Sequence, residues 1–237
     1  MAPRDLSTLA WPQGQRIAVL APHPDDFDAI AVTLRHFHAR GDEIHLAVLT
    51  AGASGVEDSY PGASDDDAKG LLREAEQRAS CAAFGLPPAR ISFLRLAASE
   101  LQFNAANIAA VRDWLLSLQA DLVFMPHGND SNATHRHTYA LFRAVAEQEK
   151  LALSAVLNQD AKTVAMRHDL YLPFDEAAAR WKGGLLRLHA TQHQRNLNAR
   201  GHGFDARVLA VNRDTAAALG LGGGYAEAFE LERWPRP

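Results

Sequence analysis

Apolar residues along this chain follow two rhythms, and the switches between them predict its elements. Ile17 to Leu20 and Asp121 to Met125 are short apolar runs of the kind that form strands buried on both faces. Glu43 to Thr50 and Ile91 to Leu96 read as two further strands. Between them, Ala29 to Ala39, Leu71 to Phe84 and Asn104 to Leu118 carry apolar residues at helical spacing, with Gly41 and Gly85 closing the first two. For the second helix, Leu71, Leu72, Ala75, Ala79 and Ala82 mark the expected inner face. Strands alternating with helices predict an α/β fold, a Rossmann-like three-layer sandwich with a mostly parallel sheet. Right-handed crossovers then place the first and fourth strands side by side, with a ligand crevice at their carboxyl ends.

The rest of the chain continues the pattern. Tyr139 to Gln148 reads as a helix, Lys162 to Leu172 as a strand near a sheet edge, and Asp175 to Arg195 as one helix whose propensity is interrupted by Gly183 and Gly184. Asp205 to Leu219 is expected to be a helix and Tyr225 onward a final strand. Residues 51 to 70, rich in Gly, Ser and Asp, form a long loop leaving the crevice edge, with Asp65 to Asp67 starting the next helix. No repeat or low-complexity linker divides the chain, so 1–237 reads as a single domain.

Composition narrows the function. With 237 residues, 47% of them hydrophobic, the chain can bury one sizeable core. A formal net charge of −4 provides no broad basic field, which argues against nucleic acid as a partner. No charged and apolar leader and no run of about 18 apolar residues is visible, predicting neither signal peptide nor membrane span. The single cysteine, Cys81, sits in a helical pattern as a small buried thiol. A cytoplasmic protein is the expectation, and a homo-oligomer is compatible with it.

Chemistry concentrates at strand ends. The first strand stops at Pro22 and is followed by His23, Asp25 and Asp26; the fourth stops before PHGNDSNATHRHTY. His23 and Asp26, three apart on a tight turn, are placed to bind one ion, leaving Asp25 free as a base. Imidazole nitrogen with carboxylate oxygen suits zinc, whose catalytic sites take three protein ligands. Topology brings the third from His127, His135 or His137, and His135 is preferred because it lies at a helix start facing the crevice, whereas His137 points to another side. A nucleotide-binding oxidoreductase is disfavoured, since two carboxylates replace the glycine-rich turn that would cradle a pyrophosphate.

These residues resemble a known family. The turn Pro22 to Asp26, the LTAG turn at Leu49 to Gly52, the REAE segment at Arg73 to Glu76, Asp130 to His135, HATQ at His189 to Gln192 and YAEAF from Tyr225 follow the order and spacing of the PIG-L/LmbE-like zinc-dependent N-deacetylases. The resemblance implies metal ligation by His23, Asp26 and His135, a general base at Asp25, and substrate contacts from Arg73, with Asp130 and His127 near the substrate. It also implies a Zn2+ cofactor and a small N-acetylated substrate, commonly an amino sugar. Two positions depart from the family pattern. Phe27 stands where Glu is common, and Asn132 stands where many members carry the first His of an H-P-D-H motif, a residue implicated in holding the oxyanion. Asn132 itself, or His189, His193 or His127, is then expected to fill that role. The alternatives are a metal- or ligand-binding module without catalysis, and an amidase acting on a non-sugar amide.

Overall fold

The computed structural model describes residues 2–97 and 100–235. Eight strands, β1 (Arg4–Asp5), β2 (Arg16–Ala21), β3 (Glu43–Val48), β4 (Ile91–Phe93), β5 (Leu122–Pro126), β6 (Ser154–Asn158), β7 (Leu170–Phe174) and β8 (Tyr225–Arg233), join one sheet. Among the described residues seven α-helices accompany them: α1 (Ala31–Ala39), α2 (Asp66–Phe84), α3 (Ala105–Leu118), α4 (Ala133–Gln148), α5 (Glu176–Arg187), α6 (Ala190–Arg200) and α7 (Phe204–Ala218). The sheet order is β1-β7-β8-β6-β5-β2-β3-β4; β8 runs antiparallel to β6 and β7, and every other pairing is parallel. The expected adjacency of the first and fourth predicted strands is therefore present, as β2 beside β5 with Ile17 opposite Leu122.

Burial on both faces explains the continuous apolar runs. Along β2, Ile17, Val19 and Ala21 enter a core with Leu34, Phe37, Cys81, Phe84 and Leu185, while Ala18 and Leu20 enter a second core with Val111, Leu141, Phe142 and Val145. Helices α1, α2 and α5 thus cover one face and α3 and α4 the other, giving three layers. Among the described residues no helix is long and apolar enough to cross a membrane.

Four local expectations are corrected. β6 was not expected from the sequence, because its apolar core is only Ala155 to Leu157 between polar ends. Residues 162–169 are irregular, and the strand there is β7, beginning at Leu170. The long helix expected from Asp175 breaks at Leu188 and His189, not at Gly183 and Gly184, which stay within α5; His189 leaves helical geometry with its imidazole turned into the protein. Finally, α2 buries Gly70, Arg73, Glu74, Gln77, Ser80, Cys81 and Phe84, whereas Leu71 is 61% exposed. Its inner face is polar from Arg73 to Ser80, where it supports the site, and only Cys81 and Phe84 at its end fill the core.

Phe27 belongs to the first core. It is fully buried, with its ring edge-on to Phe84 at 5.0 Å between centroids. An acid at that position would be buried among apolar side chains, so the departure at Phe27 is a packing feature. Phe27→Ala is expected to lower the unfolding free energy by about 3–5 kcal/mol, read from urea denaturation followed by tryptophan fluorescence. A loss below about 1 kcal/mol would show that the site collapses around the cavity at little cost.

A candidate metal centre at the carboxyl ends of two neighbouring strands

The turn after β2 is shaped by backbone strain and side-chain ties. Asp25 adopts φ +125°, a region that L side chains rarely enter, and its amide donates to Gln77 Oε1 at 2.9 Å. Its carboxylate pairs with the buried Arg73 guanidinium at 2.8 Å, and the same guanidinium also donates to the Pro24 carbonyl. Asp26 folds back to accept from the His23 amide at 2.8 Å. Neither carboxylate caps the following helical turn, whose first residue lacks a side-chain cap. Strain of this kind persists only where surrounding contacts over-determine it.

α4 brings the third donor. Asn132 caps it by accepting from the Thr134 amide, which sets His135 in the first turn over the crevice. Donor atoms of His23, Asp26 and His135 all lie within 4.8 Å of one another. His23 Nδ1 is 3.3 Å from Asp26 Oδ2 and His135 Nε2 is 3.5 Å from Asp26 Oδ1. Donors about 2.0–2.1 Å from a tetrahedral metal are separated by roughly 3.4 Å, so the spacing fits one ion. The imidazole-carboxylate-imidazole set suits a transition metal such as zinc.

Electrostatics point the same way. Burial disfavours a charge on His135, yet Asp26, Asp130 and Asp160 around it push its pKa up to about 9. Burial raises Asp26, but His135 and His23 outweigh it and hold the carboxyl well below its usual range. These groups are arranged to surround positive charge. Burial is also the main influence on Asp25, countered by Arg73 and reinforced by Asp26, and leaves its pKa raised. Asp25 is thus a carboxylate of enhanced basicity beside the three donors.

The donors open into a cavity of about 480 Å³, within the usual range for small-molecule sites. Asp25, Arg73 and Asn132 line it with the three donors. Other expected site residues stand behind the donors or outside the lining, and Arg73 is engaged within it. Asp130 is buried behind His135, 3.2 Å from Nδ1, so it orients the imidazole and fixes which nitrogen faces the cavity. Arg73 is only 2% exposed and is occupied by Asp25, a support for that carboxylate more than a free substrate contact. His127 sits outside the cavity lining, 3.3 Å from Glu230. His189 is fully buried, also outside the lining, with Nε2 2.7 Å from Asp28.

Asp28 explains that placement. Its carboxylate, sealed beneath the turn, accepts from Ser80 at 2.6 Å and Gln77 at 3.2 Å and meets His189 at 2.7 Å. Gln77 in turn holds the Asp25 amide, linking α2 and α6 to the strained residue. A second network lies beside it. Glu227 accepts from the Val32 and Thr33 amides at the start of α1 and pairs at 2.8 Å with the buried Lys182, which also donates to the Ala29 carbonyl. Asp160, past the end of β6, is 3.8 Å from His135 and lines the cavity. Asp160 went unnoticed in the sequence because β6 did; the signal available was a polar group just past a short apolar run.

Comparison with known proteins places the fold. A family model described as GlcNAc-PI de-N-acetylase, PIG-L, matches residues 18–146, more than half of the chain. No curated protein matches significantly by sequence. N,N'-diacetylchitobiose deacetylase from Pyrococcus horikoshii shares the fold with a TM-score of 0.77 and 17% identity, over 92% of this chain and 84% of its own. 4-Carboxy-2-hydroxymuconate hydratase GalB from Pseudomonas putida KT2440 gives 0.72 and 15%, over 94% and 97%. The zinc-inhibited form of teicoplanin deacetylase Orf2 gives 0.68 and 16%, over 94% and 100%.

Asp130→Ala removes the acceptor behind His135 and is expected to weaken divalent-metal affinity about 10- to 100-fold, measured by chelator competition. Unchanged affinity would remove Asp130 from the role of orienting His135.

Proposed function

The chain belongs to the PIG-L family, and from that premise we propose that it is a metal-dependent amide hydrolase removing the N-acetyl group from an N-acetylated amino sugar or a related small molecule. Residues 1–237 act in this reading as one catalytic domain. The observation that carries it is the pairing of three converging donors with a fourth group that is not one of them: Asp25, basic and held toward the same cavity.

His23, Asp26 and His135 would hold the cation, most simply Zn2+. When bound, such a metal supplies Lewis-acid chemistry, polarising the amide carbonyl and lowering the pKa of water from about 15.7 toward about 7. Asp25 accepts the proton of the attacking water at its carboxylate and later donates it to the departing amine nitrogen. Arg73 fixes the rotamer of Asp25 without quenching it, since burial keeps the carboxyl pKa raised. Asn132 uses its Oδ1 on the Thr134 amide, which leaves its NH2 group to donate toward the oxyanion that develops on the carbonyl. His189 and His127 have no part in these steps, because neither lines the cavity.

Asp25→Asn keeps the shape of the side chain and removes its basicity. The expected result is a full complement of metal by elemental analysis with kcat for acetate release from an N-acetylated amino sugar lowered about 10²- to 10⁴-fold. Wild-type turnover in this variant would dismiss Asp25 as the base. Since the fold also serves a hydratase, the assay quantifies acetate and free amine together. Substrate consumption without acetate would overturn the amide-hydrolase reading.

A further inference from the structure

The acetyl group is small compared with a cavity of about 480 Å³, so most of that space faces the amine portion of a substrate. One wall is built by two helices. α7 presents Phe204, Arg207, Val208, Val211 and Asn212, spaced as one helical stripe, and α6 adds Gln192 and Arg195. Lys162, beyond β6, completes a set of three cations on the lining besides Arg73.

Three acids of the cavity are committed to partners in or beside the donor cluster. Asp25 is paired with Arg73, Asp26 faces His23 and His135, and Asp160 lies against His135. Glu100 also lines the cavity and is exposed. Asp205, the acid closest in sequence to Arg207, is bound to Arg187 at 2.5 Å. The Arg207 guanidinium has no hydrogen-bond or ion-pair partner among the described residues, and Arg195 has only a 3.4 Å contact to the Ser54 carbonyl. Two guanidiniums without acid partners therefore line a cavity in a chain whose net charge is −4. Beside them, Phe204, Val208 and Val211 give an apolar wall; Arg207 is half-buried there, whereas Arg195 and Lys162 are exposed.

We propose that the α6–α7 wall selects substrates whose amine portion carries an anionic group, a carboxylate or a phosphate, held by Arg207 and Arg195 with Lys162 adding to the field. Guanidinium forks match both anions in a planar, two-point geometry that a neutral sugar does not offer. This assignment rests on the amide-hydrolase reading for the reaction but not for the binding, which the cavity lining alone supports.

The test uses metal-loaded full-length protein and two matched pairs: N-acetylglucosamine against its 6-phosphate, and an N-acetyl amino acid against its carboxamide. For at least one pair, kcat/KM for the anionic member is expected to exceed that of the neutral one about tenfold or more, and the better pair identifies the anion. Arg207→Gln and Arg195→Gln should bring that ratio toward one, chiefly through KM of the anionic substrate. Arg112→Gln, which removes an equal charge on the surface of α3, should leave the ratio as it was. Equal ratios for both pairs, or a preference untouched by the two cavity variants, would overturn the proposal. If no compound releases acetate, the hydrolase reading fails and the subsite is judged by calorimetry: glucosamine 6-phosphate binding tighter than glucosamine to wild type but not to Arg207→Gln upholds it, and equal affinities reject it.

Discussion

Hydrogen bonding between β2 and β5 is the constraint on which the rest depends. The two strands are about a hundred residues apart in sequence, yet their parallel register sets Ile17 against Leu122 and ends both at one edge of the sheet. Each strand then stops at a proline, Pro22 or Pro126, and the polar segments that follow meet across the crevice. His23 and Asp26 from one and His135 from the other come within reach of one ion only because that pairing holds. A one-residue slip would exchange the two cores along both strands, which fixes the register against error.

Bringing ionisable groups to a buried edge is costly, and the fold offsets that cost with buried polar scaffolding. Asp28, tied to Ser80, Gln77 and His189, and Glu227, tied to Lys182 and the first amides of α1, clamp the turn from below. Each buried charge is paired or hydrogen-bonded, the condition under which such groups are tolerated in an interior. Close backbone approach serves the same end: a Cβ on Gly55 would sit 2.5 Å from Arg73 Nη1 and would push aside the guanidinium that holds Asp25. The unusual φ of Asp25 is thus sustained by contacts from α2, the loop after β3 and the strand end itself.

Much of this was legible in the sequence, for identifiable reasons. Apolar runs ending in Pro and then His or Asp gave both strand ends, and crossover handedness gave their adjacency. Helical spacing separated His135 from His137, whose Nδ1 instead approaches the Leu101 carbonyl at 2.5 Å. What stayed hidden was the direction in which polar side chains point. α2 looked like a helix with an alanine and leucine inner face, whereas its Arg73, Gln77 and Ser80 face inward, because hydrophobic periodicity cannot register a face buried against other polar groups. His189 and Glu227 lie in short strings that carried the family resemblance, and both turn out to hold the turn in place. Asp160 escaped notice because β6 is short and its apolar content slight.

The account reduces to a single cation held between two strand ends, with a basic carboxylate beside it. Anomalous diffraction from crystals of the metal-replete protein, collected at the absorption edge of the metal, tests this most directly. The account predicts one strong peak per chain, about 2.0–2.2 Å from an imidazole nitrogen of His23, an imidazole nitrogen of His135 and a carboxylate oxygen of Asp26, with Asp25 outside the coordination shell. A saturating metal bound elsewhere, with His23 and His135 both unligated, would contradict it.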